Sequence, residues 1–344
     1  MNAWLKAVMA LTVGALGVVH EPACGHHSMA EYERGAVTEF EGEVLKESWR
    51  NPHILLEVAT TGADGEEAIW YLEGGAVSAQ RRRGVSSGLI HVGDRVRVAG
   101  AASTRRPSHM LVNHILLPDG VELLVGSSRE PRWSQTSIGS ESGVIEAPNA
   151  AAAETHGIFR VWSQGTPAWY FPGRAEYQLT ESAASAQAQW DDIEDNPLLQ
   201  CMPPGMPSLI GNPYPMEFVE RDGAIELRFE EFDAVRTIHM RDSVDPESVP
   251  ASPLGYSVGR WEGDTLVVRT TRINWPYFNR VGTPQSEAVA IEERIAAVDG
   301  GNRLDYVMTV TNPATLVGAF VWEAYWTWRP GERVRRYDCT IEEQ

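Results

Sequence analysis

The chain has 344 residues, 43% of them hydrophobic, and a formal net charge of -18 at pH 7. That apolar fraction and twelve tryptophans exclude global disorder and leave room for two domains of ordinary size. The acidic balance argues against nucleic-acid binding, which needs a basic face; the densest basic run, Arg81-Arg82-Arg83, reads as a solvated loop.

Residues 1 to 25 read as a secretory signal peptide. Lys6 gives a short positive region, and the apolar run from Val8 to Val19 is too short to span a bilayer comfortably. The expected cleavage follows Gly25, with Ala23 three residues before the cut. A lipid anchor on Cys24 is disfavoured by Glu21 and Pro22, which stand where small or aliphatic residues are wanted. The predicted location is periplasmic or secreted, with no transmembrane segment after processing. Processing removes Cys24 and leaves Cys201 and Cys339. An even pair in an exported protein predicts one disulfide, tying the entry of the second domain to its last strand.

After a polar leader at 26–39, short strands are predicted at Phe40 to Ser48, Ile54 to Thr60, Ala68 to Leu72, Arg95 to Ala99, His109 to Leu117 and Val121 to Val125. Turn residues Asn51-Pro52, Gly93-Asp94 and Pro118-Asp119-Gly120 separate them, and Val77 to Gly84 reads as a helix or irregular segment. The expectation for residues 26–125 is a small Greek-key barrel of the OB type. Residues 126–155 are rich in Ser, Gly, Ala and Pro and read as a flexible linker.

Residues 156–344 form the second predicted domain. Leu179 to Trp190 has helical composition with Thr180 as N-cap. A Pro-rich passage from Pro197 to Pro215 carries Cys201. Strands follow at Met216 to Val219, Ile225 to Phe232, Ala234 to Met240, Ala288 to Val298, Leu304 to Thr311 and Val321 to Arg329. The clearest element is the hairpin from Leu254 to Thr271, turning at Glu262-Gly263-Asp264. Eight to ten consecutive antiparallel strands predict an up-and-down, lipocalin-like barrel, so the fold class is all-β with one short helix.

The sharpest candidate chemistry lies at the processed N-terminus. A chain starting His26-His27-Ser28 presents an α-amine and an imidazole as a bidentate chelate. A third nitrogen, for which His53 is the natural candidate, would give the planar set that Cu(II) prefers. Cleavage one residue earlier would leave Gly-His-His, a copper-binding terminus that uses amide ligands. The plainer alternative is a polar leader and a hydrogen-bonded turn histidine. His91, His109, His114, His156 and His239 show no zinc-like spacing.

Gly255-Tyr256-Ser257-Val258-Gly259 matches a nucleophile elbow, but a hairpin follows where a helix is required, so Ser257 is expected to be a strand residue. Glu293 with Arg294, and Glu287 with His239, are candidate acid/base groups of a barrel lumen. Trp261, Tyr277 and Trp326 are candidates to line an apolar pocket.

Several of these motifs carry a resemblance. His26-His27-Ser28, Trp49-Arg50-Asn51-Pro52-His53 and Gly93-Asp94-Arg95-Val96 resemble a family of secreted bacterial proteins, a domain of unknown function of the DUF6152 type. The second half is similar to another set of exported proteins through Cys201-Met-Pro-Pro-Gly205, the hairpin Gly255-Tyr-Ser-Val-Gly-Arg-Trp-Glu-Gly-Asp-Thr-Leu-Val-Val268, Ser286-Glu287-Ala288 and Thr309-Val-Thr-Asn-Pro313. The resemblance implies export, processing before His26 and two domains, and no particular reaction. Ala23-Cys24-Gly25 departs from the small-residue cleavage site it implies.

The leading expectation is an exported two-domain binding protein for an apolar or aromatic small molecule, with a candidate copper site at the N-terminus and no other cofactor. One alternative is a periplasmic enzyme, either a copper oxidoreductase using the N-terminal histidines or a cofactor-free isomerase or hydrolase in the second barrel. Another is an envelope interaction protein without catalysis. Oligomeric state is open.

Overall fold

The computed structural model describes residues 31–33, 35–62, 65–140, 157–164, 177–192, 194–212, 214–241 and 244–340. The N-terminal region holds β1 (Thr38–Trp49), β2 (Ile54–Thr61), β3 (Glu67–Glu73), α1 (Val77–Arg82), β4 (Arg95–Ala102), β5 (His109–Leu116), β6 (Glu122–Leu124) and β7 (Ser137–Ile138). Strand β1 pairs antiparallel with both β2 and β4. Strand β2 pairs with β3, and β4 with β5. Strand β3 then pairs in parallel with β5, from Tyr71 opposite His109 to Glu73 opposite Leu111, and so closes a five-stranded OB-like barrel. Closure leaves no long free edge among these five strands.

The twelve-residue β1 serves both sides, pairing with β4 from Thr38 to Glu43 and with β2 from Glu43 to Trp49. At Gly42 a Cβ would sit 2.3 Å from the Ala59 carbonyl oxygen, so the close approach of β2 requires glycine there. A register shift lies between Val44 and Lys46. The strands alternate apolar and polar, and their inward residues, including Val44, Leu56, Val58, Leu72, Val98 and Ile115, form one core.

The second region contributes β8 (Val161–Gln164), α2 (Glu181–Gln187), β9 (Met216–Arg221), β10 (Ala224–Phe229), β11 (Val235–His239), β12 (Tyr256–Glu262), β13 (Thr265–Thr271), β14 (Ala290–Val298), β15 (Arg303–Thr311) and β16 (Phe320–Trp328). Nine strands close a barrel in chain order, β16 returning to β8. Strict antiparallel alternation needs an even number of strands, so one pair must be parallel. That pair is β11 and β12, joined through Ile238–Ser257 and His239–Val258. The predicted hairpin is β12 and β13, with Glu262 opposite Thr265 and Gly263 at φ +61° in its two-residue turn. Thr180 caps α2 as predicted, its hydroxyl accepting from the Ala183 N–H at 3.3 Å.

Side chains fill the nine-stranded barrel. Trp162, Phe218, Leu266, Ile295, Tyr306 and Trp326 are all buried in its core. Among the described residues no helix is long and apolar enough to cross a membrane.

Three expectations need correction. The linker does not begin at 126, because residues 126–140 are fixed to the first barrel. Strand β7 pairs with β6, and Arg83 donates to the carbonyls of Gly126, Ser128 and Gly139. Residues 141–156 lie outside the described set. The arginine run is no uniformly solvated loop: Arg83 makes those bonds and Arg82 faces Glu332 at 3.6 Å, leaving Arg81 exposed. Finally, Cys201 and Cys339 are joined, with Cα atoms 5.9 Å apart, but Cys339 lies beyond the last strand. It sits in a C-terminal segment whose backbone forms a bridge with Asn51 of the first barrel. The disulfide therefore lies at the seam between the two barrels.

Candidate functional site

The turn Trp49-Arg50-Asn51-Pro52-His53 joins β1 to β2 and faces that seam. His53 Nδ1 stands 3.1 Å from the Gly74 carbonyl oxygen. A carbonyl only accepts, so Nδ1 carries the proton and the neutral ring presents a lone pair at Nε2. Nε2 lies 3.4 Å from Glu73 Oε1. The other carboxyl oxygen of Glu73 accepts from the Tyr32 hydroxyl at 3.0 Å. Arg106 donates to the same hydroxyl at 3.2 Å and also pairs with Glu31. Burial pushes the His53 imidazole down to about 4; the Gly74 carbonyl opposes this and the Arg280 charge adds to it. Burial, with the neighbouring carboxyls of Glu73 and Glu31, pushes the Tyr32 hydroxyl up, so it stays a donor.

Two buried polar atoms of this turn, Trp49 Nε1 and Asn51 Oδ1, have no hydrogen-bond partner among the described residues. His26 and His27, the other expected metal ligands, lie outside the described residues.

The second barrel supplies the facing wall. Arg280 is close enough for its charge to act on His53, Tyr214, Glu231 and Tyr337, which come from four separate stretches of chain. Glu231 is buried, and Asn212 donates to one of its oxygens. Burial raises its carboxyl to about 7, against the opposing pull of the Asn212 hydrogen bond and of Arg280. The Tyr214 and Tyr337 hydroxyls are 3.4 Å apart, and burial pushes both up. Glu231 is held on a strained turn. Phe232 and Asp233 take φ of +54° and +52°, a backbone region that bulky L-residues rarely occupy.

The candidates placed inside the second barrel do not converge. Glu293 is fully buried, but its partner is Arg236 on β11, not Arg294. Arg294 points outward to Glu262 at 3.0 Å, as strand alternation requires. Arg236 donates to both Glu293 oxygens, to Ser257 Oγ at 2.9 Å and to Thr270 Oγ1 at 2.6 Å. Tyr306 adds a bond to Glu293 at 2.7 Å. Ser257 is thus a buried strand residue inside this network. Glu287 is exposed before β14, while His239 on β11 packs against Tyr256 with ring centroids 4.9 Å apart. No hydrogen bond or ion pair joins Glu287 to His239.

Trp261, Tyr277 and Trp326 likewise occupy three different settings. Trp261 is 43% exposed and meets Phe159 edge-on. Trp326 packs on Tyr306 and Trp322 in the core. Tyr277 sits between Trp190 and Trp275, at 4.9 and 5.8 Å. Trp275 Nε1 is buried without a hydrogen-bond partner among the described residues. Trp190 immediately precedes Asp191, which pairs with Arg105 of the first barrel at 3.1 Å. A separate groove of about 840 Å³ opens on the first barrel, lined among others by Glu41, Glu43, Leu45, Ile69, Arg95 and Arg97. It contains no histidine.

Residues 15–109 match a family of unknown function, DUF6152. The match takes in β1 to β4, the His53 turn, Glu73 and Tyr32, and stops as β5 begins. No curated protein and no solved structure matches the chain.

Sequence reasoning reached His53 and missed the residues around it. Glu73, Tyr32, Arg280 and Glu231 carry no local motif. The nearest signal was two consecutive buried residues, Leu72 and Glu73, at the end of β3, where alternation predicts one.

Proposed function

We propose that this is an exported two-domain binding protein whose working site is the seam at His53, and that the site binds copper. The ligands are His26, His27 and His53, with Glu73 supplying an oxygen. One observation carries this reading. Two Lewis-basic atoms, His53 Nε2 and Glu73 Oε1, converge at 3.4 Å while the opposite ring nitrogen is held by a carbonyl. Two ligand atoms each about 2.0–2.2 Å from one ion stand roughly 3–3.5 Å apart, and metal-binding histidines are oriented in this way by a second hydrogen bond. The Tyr32 bond to Glu73 brings the start of the described chain to the same carboxyl. Five residue steps lead back from Tyr32 to His27, at most roughly 3.6 Å each, so the leader has the reach.

The test is a Cu(II) titration of the metal-free chain beginning at His26. One equivalent should bind more tightly than to a free His-His-Ser peptide. Binding should weaken at least tenfold in His53→Ala and in a chain retaining Gly25. Peptide-like affinity, or indifference to His53, would rule the reading out.

A second reading rests on the Trp190–Tyr277–Trp275 cluster. It places the aromatic small-molecule ligand beside this cluster, where Trp275 Nε1 is a donor with no partner among the described residues, and not in the filled lumen. Quenching of tryptophan fluorescence by small aromatic compounds, lost in Trp275→Phe, supports it; quenching that survives this substitution removes it. In both readings Glu287, Glu293 and His239 carry no catalysis, and nucleic acid is no partner.

A further inference from the structure

We propose that residues 329–340 are a redox-latched strap: the Cys201–Cys339 disulfide holds them across the seam, and its reduction frees them and opens the wall beside His53. The segment belongs to neither barrel, since it follows β16 and forms no strand of its own. It nevertheless touches both. On the first barrel, Glu332 faces Arg82 at 3.6 Å and the backbone of Cys339 bridges Asn51, two residues before His53. On the second, the Arg335 and Tyr337 N–H groups donate to Glu230 and Asp233 at 3.0 and 3.1 Å, and the Tyr337 ring packs on Phe232 and Tyr214.

Glu332 is anchored too, since Ser163 Oγ donates to its carboxylate at 2.5 Å, but past Tyr337 the hold is lighter. Arg333, Arg335, Arg336 and Asp338 are exposed, and both carboxylate acceptors belong to the strained turn at 230–233. An isolated backbone bridge opens easily, so the covalent link is what fixes the Cys339 end against Asn51. Both sulfur-bearing residues are half-buried, not sealed, so a small reductant reaches them. A dithiol supplies the balance. Its thiolate attacks one sulfur, the S–S bond breaks, Cys201 and Cys339 take up two electrons and two protons to become thiols, and the dithiol closes to its own disulfide. Seam opening requires no metal.

Hydrogen exchange read by mass spectrometry on the full chain tests this, with and without a dithiol added to the folded protein, so that refolding is not at issue. Reduction should speed exchange at least tenfold in peptides covering 329–340 and 49–54. Peptides from β12 to β15 should stay unchanged. Cys339→Ser should match the reduced protein, and Tyr337→Ala should stay protected at 49–54 while oxidised. Unchanged exchange at 49–54 on reduction would overturn the latch. So would a rise that extends to β12–β15, which would make the disulfide a general staple.

Discussion

Two of the places where the molecule buries ionisable groups differ in how fully those groups are partnered, and the contrast is instructive. Inside the second barrel, Arg236 and Glu293 form a closed set: each carboxyl oxygen and each guanidinium nitrogen has a partner, and Ser257, Thr270 and Tyr306 complete the network. At the seam, His53 and Glu73 turn basic atoms toward each other, two polar atoms of the adjoining turn lack partners among the described residues, and burial raises the Glu231 carboxyl on a strained turn. A satisfied buried pair organises a core. A pair of basic atoms turned toward each other is where a cation adds something.

The largest effect should come from breaking the closed set. Arg236→Ala should destabilise the protein by about 3–5 kcal/mol, because Glu293 is left buried and uncompensated. Chemical denaturation measures this. Replacing both partners by apolar residues should recover part of the loss, and a double variant as unstable as the single would blur the distinction drawn above.

Glu122 sharpens the comparison from the first barrel. It is fully buried, accepts from the N–H groups of Arg132, Trp133 and Ser134 at 2.6, 2.7 and 2.9 Å, and has His114 Nδ1 at 2.8 Å. Burial alone would raise its pKa, but these hydrogen bonds together hold it below the usual carboxylate value. Its contribution is therefore complete above the unfolded pKa and is lost as pH falls through the lower folded value. Glu122→Gln should cost about 2 kcal/mol at pH 7 and make stability less acid-sensitive, as denaturant midpoints against pH would report.

Glu231 should behave in the opposite sense. Its folded pKa, about 7, lies above the ordinary carboxylate value. Its neutral form favours folding fully below the unfolded value, and that contribution is lost as pH rises through 7. Glu231→Gln stays neutral, so relative to the parent it should gain on the order of 2–3 kcal/mol between pH 5 and pH 8. Parallel pH–stability curves would show Glu231 already ionised in the fold. The smallest effect is expected at Thr180, where Thr180→Ala removes the cap of α2 and should cost about 1 kcal/mol in thermal or chemical unfolding.

These differences explain what the sequence could and could not reveal. The strands of both barrels were legible because alternation and turn residues are local signals; the hairpin at Gly263 and the turn at Asn51-Pro52 are examples. The disulfide was legible from cysteine arithmetic, but its place at the seam was not, since nothing local says that the chain continues past Trp328 to Asn51. Arg294 was the obvious neighbour for Glu293, yet adjacent strand residues face opposite ways, and the true partner lies 57 positions away. Tyr32 and Glu73 likewise meet across 41 positions, which no local pattern signals. Residues 126–140 carry linker composition, but Arg83 and the β6 edge pin them. Composition reports flexibility only where no such partner exists.

The most direct measurement is the electron paramagnetic resonance spectrum of the chain starting at His26 with one equivalent of Cu(II), compared with His53→Ala and Glu73→Gln. A seam site predicts a single copper species, one nitrogen fewer in His53→Ala, and altered hyperfine parameters with retained nitrogen count in Glu73→Gln. Spectra identical in all three proteins would place any copper on the leader alone and contradict a metal site at His53.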